Sequence, residues 1–186
     1  GPGLIAIGMA GLFVGWAYSA PPLALVSRGL GEVAITLCWL LVVIGADYVQ
    51  RGGFSPMPAL AGLSYALLVA NLLYINQFPD RASDAAAGKR TLVVRLGADA
   101  AKWGYLLIAI VAYGWLVAMV AGEHLPRYAA AAALTLVVSF STARHLIAHA
   151  AQPAELAPAL KLTILAANLH GLVLAAALAF GAPLAG

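Results

Sequence analysis

Read for polarity alone, the chain is a succession of long apolar runs separated by short clusters of Pro, Gly and charge. The runs fall at about 3–18, 31–49, 58–78, 100–121, 128–148 and 160–181. Several approach the roughly 20 residues that a helix needs to cross a bilayer. They are apolar on all sides, whereas transmembrane β-strands would be about 10 residues long and alternate apolar with polar. The breaks carry Pro21-Pro22, Gly52-Gly53 with Pro56 and Pro58, Pro126, and Pro153 with Pro158, the residues that end helices and open turns. The pattern predicts six helices in an all-α, multi-pass transmembrane bundle. They form a single domain over residues 1–186, with no low-complexity linker. The alanine run Ala129 to Ala133 suits close helix packing, because small residues let backbones approach.

Composition agrees. Hydrophobic residues make up 63% of the 186 and charged residues 9%, against about a quarter charged in a soluble domain. The net charge of +3 comes from basic residues at helix ends, which is not a nucleic-acid footprint. The one cysteine, Cys38, lies mid-run and reads as a small packing residue. The chain begins Gly-Pro-Gly with no basic segment of a signal peptide, so we expect it to be cut from something longer.

Cytoplasmic connectors of membrane proteins are enriched in Lys and Arg. Alternate connectors lie on one side. The first, third and fifth hold Arg28; Arg81, Lys89, Arg90, Arg95 and Lys102; and Arg144 and Lys161, eight in all. The second and fourth hold two, Arg51 and Arg127. The expectation is a cytoplasmic 79–99 connector, with both ends of the chain on the opposite side.

That connector also holds candidate chemistry. Asn76, Asp80 and Asp84 are spaced four apart. If the third helix continues through them, they share nearly one face, and Pro79 kinks it. Two carboxylates one turn apart repel, and a divalent cation would reconcile them. Mg²⁺ is commonly held by one or two carboxylates, with water and phosphate oxygens completing its shell. Lys89 and Arg90 follow, with Arg95 beyond, and cations beside such a metal suit a diphosphate. The plainer alternative is ordinary loop acids balanced by topology-setting basic residues. Gly88-Lys89 is not a phosphate-binding P-loop, which would need Gly at Ser83 and Ser or Thr at Arg90.

The run Asn76, Asp80, Asp84 and GKRTLVVRLG from Gly88 to Gly97 resembles the second aspartate-rich motif of the UbiA-type intramembrane prenyltransferases. It is most similar to the branch that prenylates 1,4-dihydroxy-2-naphthoate on the way to menaquinone. YSAPPLALVSRGLGE at residues 18–32 resembles that branch's Pro-Pro connector, and Asp47-Tyr48-Val49-Gln50-Arg51-Gly52 is a weaker match. The resemblance implies a nine-helix fold around a cavity open to lipid, in which the six helices here are the fourth to ninth. It implies transfer of a polyprenyl group from an allylic diphosphate to an aromatic acceptor, with Mg²⁺ as cofactor and a bacterial inner-membrane location. Asp80 and Asp84 would bind the metal with Asn76, and Lys89, Arg90 and Arg28 would contact diphosphate. Tyr18, Tyr74 and Asn71 are candidate cavity-lining groups. Ala24 stands where the family often has a basic residue. The family's first aspartate-rich motif is absent, and Glu32, Asp47, Asp99, Glu123 and Glu155 are isolated in sequence. We therefore expect three upstream helices carrying that motif.

Nearby alternatives are the chlorophyll-, tocopherol- and ubiquinone-type members of the family. The rival from another class is a non-catalytic helical membrane protein whose charged connector only sets topology. Elsewhere, His145 and His149 read as residues of a wet interface, and Asp47 as structural. Asn168 and His170, inside the last run, read as either helix-packing groups or cavity lining.

Overall fold

The computed structural model describes residues 1–180. Its α-helices are α1 (Pro2–Ser19), α2 (Gly31–Arg51), α3 (Met57–Asn76), α4 (Arg81–Ala86), α5 (Leu92–Leu96), α6 (Ala98–Ala121), α7 (Leu136–His149) and α8 (Ala157–Phe180). No strand occurs among the described residues. Six spans are long and apolar enough to cross a membrane: α1, α2, α3, α6, Arg127–His149 and α8. These match the six predicted runs to within a few residues, and position 181 of the last run lies outside the described residues.

Helix ends follow local chemistry. Pro occupies the first turn of α1 and of α3, where its missing N–H costs nothing. Gly52 closes α2 in the left-handed region at φ 74°, its N–H donating to Tyr48 O, a termination that glycine adopts without strain.

The bundle is built around α3, the most buried span, which packs on α2, α6 and α8. α1 lies outermost and exposes Ile5, Met9, Leu12 and Phe13. Exposed Val33, Val42, Leu107, Ile110, Val137 and Leu172 extend this apolar exterior over other helices. So large an apolar surface is suited to lipid rather than to water.

Two departures from the predicted elements have physical causes. The fifth run is not one helix: Arg127–Thr135 is a 3₁₀ segment that passes into α7. A 3₁₀ stretch of nine residues is unusually long and needs its backbone satisfied. Thr135 Oγ1 donates to Ala132 O at 2.7 Å, and His170 Nδ1 lies 3.3 Å from the same carbonyl. Ala129 and Ala132 are fully buried there, small enough for the backbone to press against α6 and α8. The second departure is that the third helix stops at Asn76 rather than 78, and the connector holds α4 and α5. Hydropathy does not register such short polar helices.

Buried polar side chains tie the helices together. His170 is fully buried, with Nε2 3.0 Å from Ser64 Oγ on α3 and Nδ1 3.2 Å from Thr135 Oγ1. The Tyr113 hydroxyl on α6 lies 3.0 Å from both Thr135 Oγ1 and Ser139 Oγ. Of its two readings, His170 therefore takes the helix-packing one. Asn168 is exposed and donates back to Ile164 O of its own helix. His145 and His149 stack at 4.4 Å, and His145 Nε2 reaches Glu155 O at 2.7 Å.

The α3–α6 interface depends on one glycine. Tyr74 lies against Gly104, and a methyl there would stand 2.7 Å from Tyr74 Cζ. The close approach lets the Tyr74 hydroxyl donate to Ala101 O at 2.6 Å. Gly104→Ala is expected to cost about 1–3 kcal/mol through overpacking, read as a lower unfolding temperature in detergent. Gly114→Ala on the same helix, where a methyl meets nothing within 4 Å, should be neutral or slightly stabilising.

Candidate functional site

The charged connector leaves α3 through a turn at residues 77–80 before α4 begins. Gln77 and Phe78 donate their backbone N–H groups to Tyr74 O and Ile75 O, tightening the turn before Pro79. Asp80 N–H then donates to Asn76 O at 3.4 Å, and Asp84 N–H to Asp80 O at 2.8 Å. The one-turn spacing of Asn76, Asp80 and Asp84 therefore survives the proline. Phe78 and the fully buried Val93 of α5 anchor the two ends of the connector in a core cluster with Tyr74, Ile75 and Leu146.

The two carboxylates have different surroundings. Asp80 is exposed, whereas Asp84 is 8% exposed. Gly88 turns the chain back at φ 73°, a conformation that side chains resist. That reversal brings Lys89 Nζ to 3.1 Å from Asp84 Oδ1. Asp84 Oδ2 is buried and has no partner, which is costly for a carboxylate oxygen and marks an acceptor awaiting a donor or a cation. Asn76 is half-buried and its Nδ2 donates to Leu72 O at 2.9 Å.

A second connector docks beside the first. Arg95 Nη2 donates to Ser27 O at 3.0 Å, and its Nε to Arg90 O at 2.8 Å. Gly29, at φ 76°, packs under Leu92 and the Arg95 side chain. Tyr18, at the end of α1, is half-buried. Its ring packs against Gly31 at the start of α2. Of the expected residues, Asp84 and Lys89 are brought together by their ion pair. Arg90 is exposed close by, while Arg28 is occupied locally, donating to Pro22 O at 2.7 Å.

Two expected cavity residues are placed elsewhere. Tyr74 and Asn71 face α6: Tyr74 bonds to Ala101 O, and Asn71 Nδ2 donates to Tyr105 O at 3.0 Å. Both are almost fully buried at the α3–α6 interface, and Asn71 Oδ1 has no hydrogen-bond partner among the described residues. Gly104 leaves room for the Tyr74 ring, which lets its hydroxyl reach Ala101 O.

The sequence reading missed Glu32 and Gln77. Glu32, isolated in sequence, is 8% exposed at the start of α2, and its carboxylate accepts a short hydrogen bond from Gln77 Nε2. Gln77 Oε1 accepts from Val93 N–H at 3.3 Å. The local signals were the position of Gln77 beside Asn76 and of Glu32 at the end of the 18–32 connector, and a pairing across 45 residues has no sequence signature. Below Glu32, an apolar cleft of about 270 Å³ opens between α2, α3 and α6, past Thr36, Leu37, Leu67 and Ile108.

Among the described residues, no three His, Cys, Asp or Glu side chains gather as a metal cluster. Two carboxylates one turn apart plus an amide oxygen are hard oxygen donors, and one carboxylate oxygen is buried without a partner. That set fits Mg²⁺, which takes the rest of its shell from water and phosphate.

Fold and site together define a polytopic helical membrane protein with an acidic and basic cluster at one end of its bundle. The model of the UbiA prenyltransferase family matches residues 1–165, and the chain belongs to that family. The chain is 34% identical over 92 residues to the 2-carboxy-1,4-naphthoquinone phytyltransferase of Synechocystis sp., covering 49% of this chain and 30% of the relative. It is 27% identical over 118 residues to the 1,4-dihydroxy-2-naphthoate octaprenyltransferase of Bacillus subtilis, covering 63% of this chain and 38% of that one. It is 27% identical over 103 residues to the chloroplastic chlorophyll synthase of Arabidopsis thaliana, covering 55% of this chain and 27% of the relative. The matches thus span about a third of the relatives' length. No solved structure matches. The chain is an integral membrane prenyltransferase-family protein, with six spanning helices in the described residues.

The Lys89–Asp84 contact makes a measurable prediction. Lys89→Met should destabilise the protein because Asp84 loses the side-chain partner it has among the described residues. In a double-mutant cycle with Asp84→Asn, the coupling should be about 1 kcal/mol, since Lys89 is part-exposed. Thermal unfolding in detergent reads it, and strict additivity would show that the pair is not coupled.

Proposed function

We propose that the protein transfers a polyprenyl group from an allylic diphosphate to an aromatic acceptor in a Mg²⁺-dependent reaction. The observation that carries this reading is the buried, unpartnered Asp84 oxygen next to Asp80 and Lys89. The acceptor we favour is 1,4-dihydroxy-2-naphthoate, on the way to menaquinone, because the Bacillus subtilis relative carries that substrate in its name. A phytyl donor is the alternative suggested by the Synechocystis relative.

In the reaction, the allylic C–O bond breaks and its electron pair leaves with the diphosphate. The acceptor ring carbon attacks the allylic carbon, and the ring then loses a proton. Asp80, Asp84 and Asn76 would hold Mg²⁺, which would neutralise charge building on the departing diphosphate. Lys89 and Arg90 contact the diphosphate directly, and Arg28 can join them if it leaves Pro22 O. Tyr18, whose ring packs against Gly31 at the start of α2, would offer an aromatic face to a developing allylic cation. Apolar helices beneath exclude water, which would otherwise capture the allylic cation. The membrane setting has its own reason, since donor tail and product are both lipids.

The reading also orients the protein in the cell membrane. The eight-to-two distribution of basic residues supports a cytoplasmic 79–99 connector, with the C-terminus on the opposite side. The upstream part of the same protein would supply the other half of the site.

Asp80→Ala in the full chain should reduce Mg²⁺-dependent transfer at least about 100-fold while membrane insertion is retained. The assay is product formation in proteoliposomes with a polyprenyl or phytyl diphosphate. Full activity in that variant removes Asp80 from the site. A wild-type chain inactive with every allylic donor and naphthoate or phenolic acceptor would sink the reading.

A further inference from the structure

We propose that Glu32 and Gln77 are positioning residues: a buried relay that holds the aspartate-rich connector against α2, so that Asp80 and Asp84 present their carboxylates to one cation. The relay rests on the metal reading above, and it adds two residues that neither aspartate-rich spacing nor charge pattern points to.

The argument starts from the two ends of the Gln77 amide. Nε2 donates to the Glu32 carboxylate, and Oε1 accepts from Val93 N–H at 3.3 Å. Only one orientation works. Turned over, the amide would set its oxygen against a carboxylate oxygen and its NH₂ against an N–H. The Glu32 oxygen that accepts from Nε2 and the Val93 N–H that donates to Oε1 together fix which way Gln77 points. Both side chains are nearly buried, at 8% and 5% exposure, so water cannot readily replace either bond.

Position in the chain gives the relay its effect. Gln77 directly follows Asn76, and Val93 comes three residues after Arg90. One amide thus pins both ends of the segment that carries Asp80, Asp84, Lys89 and Arg90. Glu32 ties that closed segment to the first turn of α2, where Thr36 Oγ1 donates to Glu32 O at 2.8 Å. The same connector is held from outside by Arg95 on Ser27 O, but that contact is exposed and competes with water. Glu32 has no cation partner within salt-bridge distance among the described residues. A carboxylate kept this buried beside a neutral amide carries a desolvation cost. Orienting Gln77 is the role that accounts for it.

The test uses the full chain in detergent, with Glu32→Ala, Glu32→Gln and Gln77→Met. Two quantities are read: the Mg²⁺ concentration for half-maximal prenyl transfer, and the rate of tryptic cleavage at Arg81, Lys89 and Arg90 in the absence of substrate. Glu32→Ala and Gln77→Met should raise the Mg²⁺ requirement about 10-fold, the low end for losing a residue that orients a metal ligand. Tryptic cleavage in the connector should be faster in both. Glu32→Gln keeps an acceptor for Gln77 and should recover most of both quantities. If Glu32→Gln is as damaging as Glu32→Ala, the charge or proton of Glu32 is what matters and the relay is overturned. Unchanged Mg²⁺ requirement and cleavage in Glu32→Ala overturn it as well. Should Glu32→Ala fail to fold, Gln77→Met keeps the volume and is judged by the same two quantities. A wild-type chain without Mg²⁺-dependent transfer overturns the metal reading instead, while the cleavage rates still report on the relay.

Discussion

In a hydrocarbon solvent, every backbone N–H and C=O must find a partner within the chain. The architecture of this protein follows from that constraint. Six spans become helical because a helix satisfies its own backbone. Irregular backbone is confined to the connectors and to the 3₁₀ segment at 127–135, where Thr135 and His170 bond the Ala132 carbonyl from the side. The apolar effect drives little association between helices already in lipid, so close packing and interhelical hydrogen bonds take over. Gly104 under Tyr74 and the His170–Ser64–Thr135–Tyr113 network are the two forms this takes here.

The same constraint concentrates chemistry at one end of the bundle. Charges excluded from the spans collect in the connectors, and the two connectors at residues 20–30 and 77–97 fold onto each other through Arg95, Gly29 and the Glu32–Gln77 pair. The result joins a polar, anion-suited mouth to an apolar body. Membership of the UbiA prenyltransferase family agrees with a charged mouth set on an apolar membrane bundle.

Asp80 and Asp84 show how much of a site a spacing can reveal. Four-residue periodicity placed them one turn apart, and the backbone bonds across Pro79 keep them so. Periodicity could not tell that one carboxylate would be exposed and the other buried with an unpartnered oxygen, because burial depends on what packs above. Tyr74 and Asn71 add a feature that spacing does not reveal, because each donates to a carbonyl of α6, a helix distant in sequence.

Sequence by itself determined the number, kind and approximate limits of the spans, because hydropathy and breakers act locally along the chain. It also determined where charge could accumulate. Only the tertiary structure decided that the fifth span begins as a 3₁₀ segment, that His170 is a packing group, and that Glu32 bonds Gln77 at the head of the aspartate-bearing connector. Each of these rests on partners distant in sequence: 45 residues separate Glu32 from Gln77, and 106 separate Ser64 from His170. Hydrogen bonds are short-ranged and directional, so such pairings exist only once the helices have packed.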